Sequence, residues 1–245
     1  MGVSFNVDKA LKDSGYNGGF KKSLKKILWK LQTDPNITNF KEAAYLLATA
    51  KVESNYSLQR WESDYQCTGP EGQTMYGRSY KELPKNQPCV NALNYYKSTN
   101  GKSNYYDKGI DNKGLPYFGR GLIQLTGQHN YQKYGEKIGV DLINNADKAL
   151  KPNNSYKIAS AYLKNRTFKY VNENNLSKAR ESVKGSSKGW EEVKNTYDNW
   201  LKNLEKNKTK STLLNYAKPI LIVSGVAVFG VTGLIIYGIY RKKFK

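Results

Sequence analysis

Residues 43–65, AAYLLATAKVESNYSLQRWESDY, carry the reading on which the rest of the chain depends. Ala43, Leu46, Leu47 and Ala50 recur at spacings of three and four, so they share one face of a helix. Glu53 continues that face and sets a carboxyl group where the pattern calls for another apolar residue. This is the kind of setting in which a carboxyl group serves as a general acid near neutral pH. Glu62 follows nine residues on. An unbroken helix would hold the two carboxylates roughly 13 Å apart along its axis. A pair acting on one glycosidic bond stands closer, about 5 to 9.5 Å apart. For the two to work together, Asn55, Tyr56 and Ser57 must break the helix and turn Glu62 back. The same residues admit a plainer reading, with Glu53 a solvated residue near a helix C-terminus and Glu62 a surface acid.

The 245 residues hold 40 Lys and Arg against 20 Asp and Glu, a formal charge of +20. Such a surface is drawn to polyanions. Nucleic acid is one candidate, but there is no zinc-finger spacing, no aromatic RNA-binding signature and no basic helix running into heptads, so no nucleic-acid partner is expected. An anionic cell envelope suits the charge equally well. Cys67 and Cys89 are the two cysteines and His129 the one histidine, too few for a structural zinc site. The two thiols either staple one irregular loop or stand unrelated. No metal or other cofactor is implied.

Taken in order, residues 1–19 lack the apolar run of a signal peptide. Phe20, Leu24, Ile27, Leu28 and Leu31 alternate with lysine pairs, which predicts an amphipathic helix over residues 20–32 packed on a core with its lysines in water. Pro35 ends it. Asn39, with Glu42 three residues on, starts the helix that carries Glu53. Residues 65–116 form a long loop rich in Gly, Pro, Asn and Tyr. Its tyrosines either stack on sugar rings or pack locally. Residues 117–131 read YFGRGLIQLTGQHNY, where Gly119, Gly121 and Gly127 let the backbone turn tightly around a short apolar run and Gln124, Thr126 and Asn130 offer amides and a hydroxyl. Helices are predicted over residues 131–138, 154–165 and 189–204, the last with a stripe of Trp190, Val193, Tyr197, Trp200, Leu201 and Leu204. Residues 219–240, PILIVSGVAVFGVTGLIIYGIY, are an uncharged apolar run of 22 residues, long enough to span a bilayer. Tyr216, Tyr237 and Tyr240 stand at its ends. Lysines flank both sides, so the charge does not decide its orientation.

AKVES at residues 50–54, the second glutamate nine positions after the first, YFGRGLIQLTGQHNY, GVDLINNADKAL at 139–150 and VKGSSKGWEE at 183–192 together resemble the family-19 glycoside hydrolases. They look most like the phage and bacterial endolysin branch of that chitinase-like family, over roughly residues 42–200. The resemblance implies a mainly α fold, a lysozyme-like superfamily domain, that hydrolyses β-1,4 links between aminosugars with inversion. Glu53 matches the general acid, Glu62 the base that activates water, and Thr126 the hydroxyl that helps hold that water. Tyr117, Gln124, Asn130 and Tyr131 match residues lining the sugar cleft. Two positions depart from the pattern: the His that usually precedes the acid is Val52, and the cleft Asn of the late I-N-G-G segment is Lys184. A lysine there favours an anionic sugar such as N-acetylmuramic acid.

The expected organisation is a hydrolase domain over residues 1–205, a basic linker at 206–218, a single C-terminal transmembrane helix at 219–240 and a basic tail at 241–245. Tethering beside a cell wall favours peptidoglycan over chitin as substrate. With no leader and a C-terminal span, a lysin in the membrane of a lipid-containing phage, neighboured by other virion proteins, fits best. A host inner-membrane lysis protein is the main variant. A chitinase, and an inactive wall-binding virion protein, are the competing readings.

Overall fold

The computed structural model describes residues 2–60, 117 and 119–209. Glu62, Cys67, Cys89, the tyrosine-rich loop and the apolar run at 219–240 lie outside the described residues, so the expectations placed on them stand as expectations. The described residues belong to one compact unit, Met1–Lys210. Among them no helix is long and apolar enough to cross a membrane.

The fold is mainly helical. In chain order it comprises α1 (Val7–Asp13), α2 (Lys21–Leu31), α3 (Phe40–Ser54), α4 (Gln128–Ile138), a 3-10 turn (Ala146–Leu150), α5 (Pro152–Arg166), α6 (Phe168–Asn172), α7 (Leu176–Lys184) and α8 (Trp190–Lys206). Helix α3 is its axis. Residues 42–50 are all buried, so the stripe legible in the sequence is only part of a helix enclosed on every side. Alanines at 43, 44, 48 and 50 let neighbours approach closely, and the most extensive neighbour is α8. Tyr45 meets Tyr197 at 6.3 Å between ring centres, and Tyr56 meets Trp200 edge-on at 6.4 Å. The start of α3 is built as the sequence suggests. Asn39 Oδ1 accepts the Glu42 amide at 3.0 Å. The Glu42 carboxylate reaches one residue further back than a capping box, accepting from the Thr38 amide (2.6 Å), the Thr38 hydroxyl (2.8 Å) and Asn172 Nδ2 (3.0 Å).

Helix α2 buries Leu24, Ile27, Leu28 and Leu31 completely, and α8 buries Val193, Tyr197, Trp200 and Leu204, as their stripes require. Trp190 and Leu201 are only half-buried. The chain's two described ends meet: Phe5 pairs with Lys208 in an isolated antiparallel bridge, and the Asn6 amide donates to Asn207 O at 2.9 Å. Helices α1, α6 and α7 have no counterpart in the periodicity, being too short for a long apolar stripe.

Candidate active site

The site begins where α3 ends. Asn55 and Tyr56 both adopt left-handed backbone, with φ of 50° and 67°. Asn is an accepted residue there, whereas an aromatic side chain is strained by about 1–2 kcal/mol. The strain is held by Trp200, whose indole N–H donates to the Tyr56 hydroxyl at 2.8 Å, and by the Tyr56 amide bonding Ala50 O at 3.0 Å. Asn55, Tyr56 and Ser57 therefore do break the helix.

Glu53, the penultimate residue of α3, faces α7. Its Oε1 accepts from Arg180 Nη1 at 2.5 Å, with the arginine side chain 2% exposed and the glutamate 21% exposed. The carboxyl group is thus neither a freely solvated helix-end residue nor a lone acid in an apolar pocket. A buried guanidinium aims it, a contact unforeseen in the sequence. Val52, where a histidine was expected, packs against the core, so the residue that orients Glu53 comes from a different helix. Arg180 Nε and the hydroxyls of Tyr45 and Thr49 are buried without a hydrogen-bond partner among the described residues. Tyr45, Thr49 and Glu53 fall at four-residue spacing and so share one side of α3.

The glycine-bracketed loop carries the other expected site residues. Arg120 and Leu125 exchange backbone hydrogen bonds at 3.2 and 3.0 Å, closing a tight turn with Gly121 at φ 78° and Gln124 at φ 54°. Only glycine fits at 121, because a Cβ would stand 2.7 Å from Ser155 Oγ and 3.1 Å from Ala149 O. The turn grips the chain leaving α3: Arg60 O accepts the Gly121 amide at 2.7 Å and Gln124 Nε2 at 3.1 Å. Gln124 Nε2 also bonds Gly121 O at 2.9 Å, which commits that amide nitrogen to the backbone rather than to a sugar. The Thr126 hydroxyl donates to Gln124 O at 2.8 Å and keeps its lone pairs as acceptors, while Asn130 Nδ2 donates to Thr126 O at 2.7 Å. Both side chains are half-buried.

Two of the expected cleft residues are buried. Tyr117 and Tyr131 are 1% and 0% exposed, with ring centres 5.0 Å apart. The Tyr117 hydroxyl donates to Ile143 O at 2.9 Å and the Tyr131 hydroxyl accepts from Arg120 Nη1 at 3.0 Å. They are core residues beneath the loop, because a tyrosine whose hydroxyl finds a partner buries as readily as a phenylalanine. The buried Arg120, also bonded to Asp147 at 3.1 Å, underpins the same turn. Lys184 is exposed at the end of α7, one turn after Arg180. Among the described residues no cluster of three or more His, Cys, Asp or Glu is placed to hold a metal ion.

The helical scaffold resembles those of solved chitinase structures. A crystal structure of a chitinase C mutant aligns over 85% of this chain and 97% of its own, with a TM-score of 0.51 at 16% identity. Chitinase C from Streptomyces griseus HUT6037 aligns over 86% and 97%, with a TM-score of 0.50 at 15% identity. Residues 61–167 match the profile of glycoside hydrolase family 19, chitinase class I. Glu62, Thr126, Gln124 and Asn130 lie within the matched segment; Glu53, Arg180 and Lys184 lie outside it. Short stretches are closer to plant proteins. Chitinase 8 of Oryza sativa subsp. japonica is 62% identical over 32 residues, covering 13% of this chain and 12% of the relative. Endochitinase 1 of Theobroma cacao is 53% identical over 47 residues, covering 19% and 15%. Inactive chitinase-like protein 1 of Hevea brasiliensis is 36% identical over 80 residues, covering 33% and 22%. The matched stretches thus span less than a quarter of those relatives' length.

Proposed function

We propose that this protein hydrolyses β-1,4 bonds between N-acetylated aminosugars with inversion of configuration, and that its substrate is peptidoglycan. The observation that carries the reading is Glu53 held by a buried arginine at the end of α3, with the chain that leaves this helix bonded at Arg60 to the glycine-bracketed turn. Glu53 protonates the leaving oxygen, Glu62 removes a proton from the attacking water, and the Thr126 oxygen receives that water's second hydrogen. Inversion needs the two carboxyl groups far enough apart to admit the water, about 6.5 to 9.5 Å. Lys184, exposed one turn beyond Arg180, offers a cation to a sugar carboxylate, which favours N-acetylmuramic acid over a neutral sugar.

In this reading the apolar run at 219–240 anchors the enzyme in a membrane beside the wall, as a phage lysin acting at entry or at host lysis. A second reading, a chitinase acting on N-acetylglucosamine polymers, draws support from the chitinase names of the plant relatives. The full chain in mild detergent, incubated with purified peptidoglycan and with chitin oligomers and followed by new reducing ends, separates them. Cleavage of peptidoglycan supports the first reading, and cleavage of chitin alone replaces it with the second. Cleavage of neither, with retention on sedimented walls, makes the protein an inactive wall binder.

A further inference from the structure

Helix α3 ends on two sites. Glu53 faces α7, whereas Lys51 and Asn55, one turn apart, face the other way, since residues two apart on a helix point about 200° around its axis. On that far side lies an open cleft of about 680 Å³, within the ~300–1,000 Å³ of ordinary ligand sites. The Asp13–Gly18 loop, the end of α3 and the outer face of α8 form its walls.

Three features set this cleft apart from the lysine-rich surface around it. Its ammonium group is fixed in advance: Lys51 Nζ donates to Asn55 Oδ1 at 2.5 Å and stands 5.2 Å from the ring centre of Tyr16 and 5.8 Å from that of Tyr56. Its acid is already engaged, since the Asp13 carboxylate bonds Lys206 Nζ at 2.8 Å and Asn207 Nδ2 at 3.1 Å, which leaves Lys51 and Lys202 in excess. Its wall is the strained pair Asn55 and Tyr56, and the Tyr16 hydroxyl donates to Asn55 O at 3.3 Å. Ending a helix requires one left-handed residue; a second, on a tyrosine, is the kind of backbone cost that collects at ligand sites.

We propose that this cleft is a second glycan-binding site that takes a carboxylate-bearing sugar chain, separate from the Glu53 cleft. The fixed lysine and Lys202 meet the carboxylates, while the exposed amides of Asn17 and Asn199 meet the hydroxyl and acetamido groups. An open, mixed polar and aromatic groove with net positive lining suits such a polymer better than a small apolar molecule. The ligand class rests on the peptidoglycan reading, but binding can be measured without catalysis.

The test uses the full chain carrying Glu53→Gln, in mild detergent, titrated calorimetrically with soluble peptidoglycan fragments, with a neutral chitin oligomer and with inorganic polyphosphate. Lys202→Glu reverses one charge, and Asn199→Trp fills the groove from an exposed helical position. Lys22→Glu, on exposed α2, calibrates the effect of net charge alone. We expect Lys202→Glu and Asn199→Trp each to weaken fragment binding about tenfold, Lys22→Glu to change it less than about twofold, and the chitin oligomer to bind more weakly than the fragments. The proposal is overturned if the cleft variants match Lys22→Glu, or if polyphosphate displaces the fragments equally from every variant, which would make the binding a property of overall charge. A parent protein that cleaves nothing, while the cleft variants still lose fragment binding, sinks the enzymatic reading and leaves this site standing.

Discussion

Replacing Arg180 by Met removes the guanidinium and keeps a side chain of similar reach, so the contribution of the pair can be worked out before it is measured. Two unit charges about 4 Å apart attract by about 4 kcal/mol at an effective dielectric near 20. Glu53 is 21% exposed and recovers water when its partner goes, whereas Arg180, 2% exposed, had to be stripped of water to fold. Both facts offset part of the attraction, leaving a loss of about 2 kcal/mol in folding stability. Arg180→Lys restores a charge but only as a point donor and should lose about half as much. Lys184→Met, exposed one turn on, should stay within about 0.5 kcal/mol of wild type. Urea unfolding of the full chain in mild detergent, followed by tryptophan fluorescence, gives the stabilities. Hydrolysis measured on the folded variants should fall about 30-fold or more in Arg180→Met, because the acid is no longer aimed at the leaving oxygen. If Arg180→Met matches wild type in both stability and turnover, the contact neither supports the fold nor positions the acid, and the reasoning fails.

Three further perturbations probe the supports of the site. Gly121→Ala places a Cβ 2.7 Å from Ser155 Oγ at a φ of 78°, so the turn should lose about 2 kcal/mol and release Arg60; a wild-type melting temperature would contradict this. Glu42→Gln leaves the Thr38 and Asn172 donors facing an amide at a site 1% exposed, and should cost about 1–3 kcal/mol by denaturant titration. The third perturbation is alkali. Burial raises the hydroxyls of Tyr45, Tyr56 and Tyr156 above the ordinary tyrosine range, and Tyr197 to about 12. The unfolded chain gives up these protons near pH ~10 and the folded one does not. Stability is therefore complete below about pH 10 and falls as pH rises toward about 12. Melting temperature should drop over that window, with phenolate absorbance appearing in step with unfolding; early titration of all the tyrosines in the folded protein would refute it.

How far the sequence could be read depended on whether a residue's task leaves a periodic trace. Helices α2, α3 and α8 bury long apolar stripes, and Asn39 marks the start of α3 by a cap that local chemistry enforces. The break at Asn55 followed from the geometric need to bring two carboxylates together, and the structure places it there. Helix α7 buries only Ala179 and Arg180, so no stripe announces it. Its ends offered the available signal, Asn175 whose side chain caps Lys178 and Gly185 with φ 77°. Arg180 itself is one basic residue among many, and nothing local distinguishes it from its solvated neighbours. The burial of Tyr117 and Tyr131 left no trace for the converse reason: their hydroxyls are satisfied by Ile143 and Arg120, which only the folded chain brings to them.

The central claim is that Glu53 and Glu62 act as acid and base in one glycan-cleaving site. Its most direct test is hydrolysis of purified peptidoglycan and of chitin oligomers by the full chain beside Glu53→Gln and Glu62→Gln, with circular dichroism confirming that each variant is folded. The account predicts release of reducing ends by the parent, reduced by at least about a hundredfold in either variant. Unchanged release from a folded Glu53→Gln protein would contradict it, and the chemistry would have to be sought elsewhere in the chain.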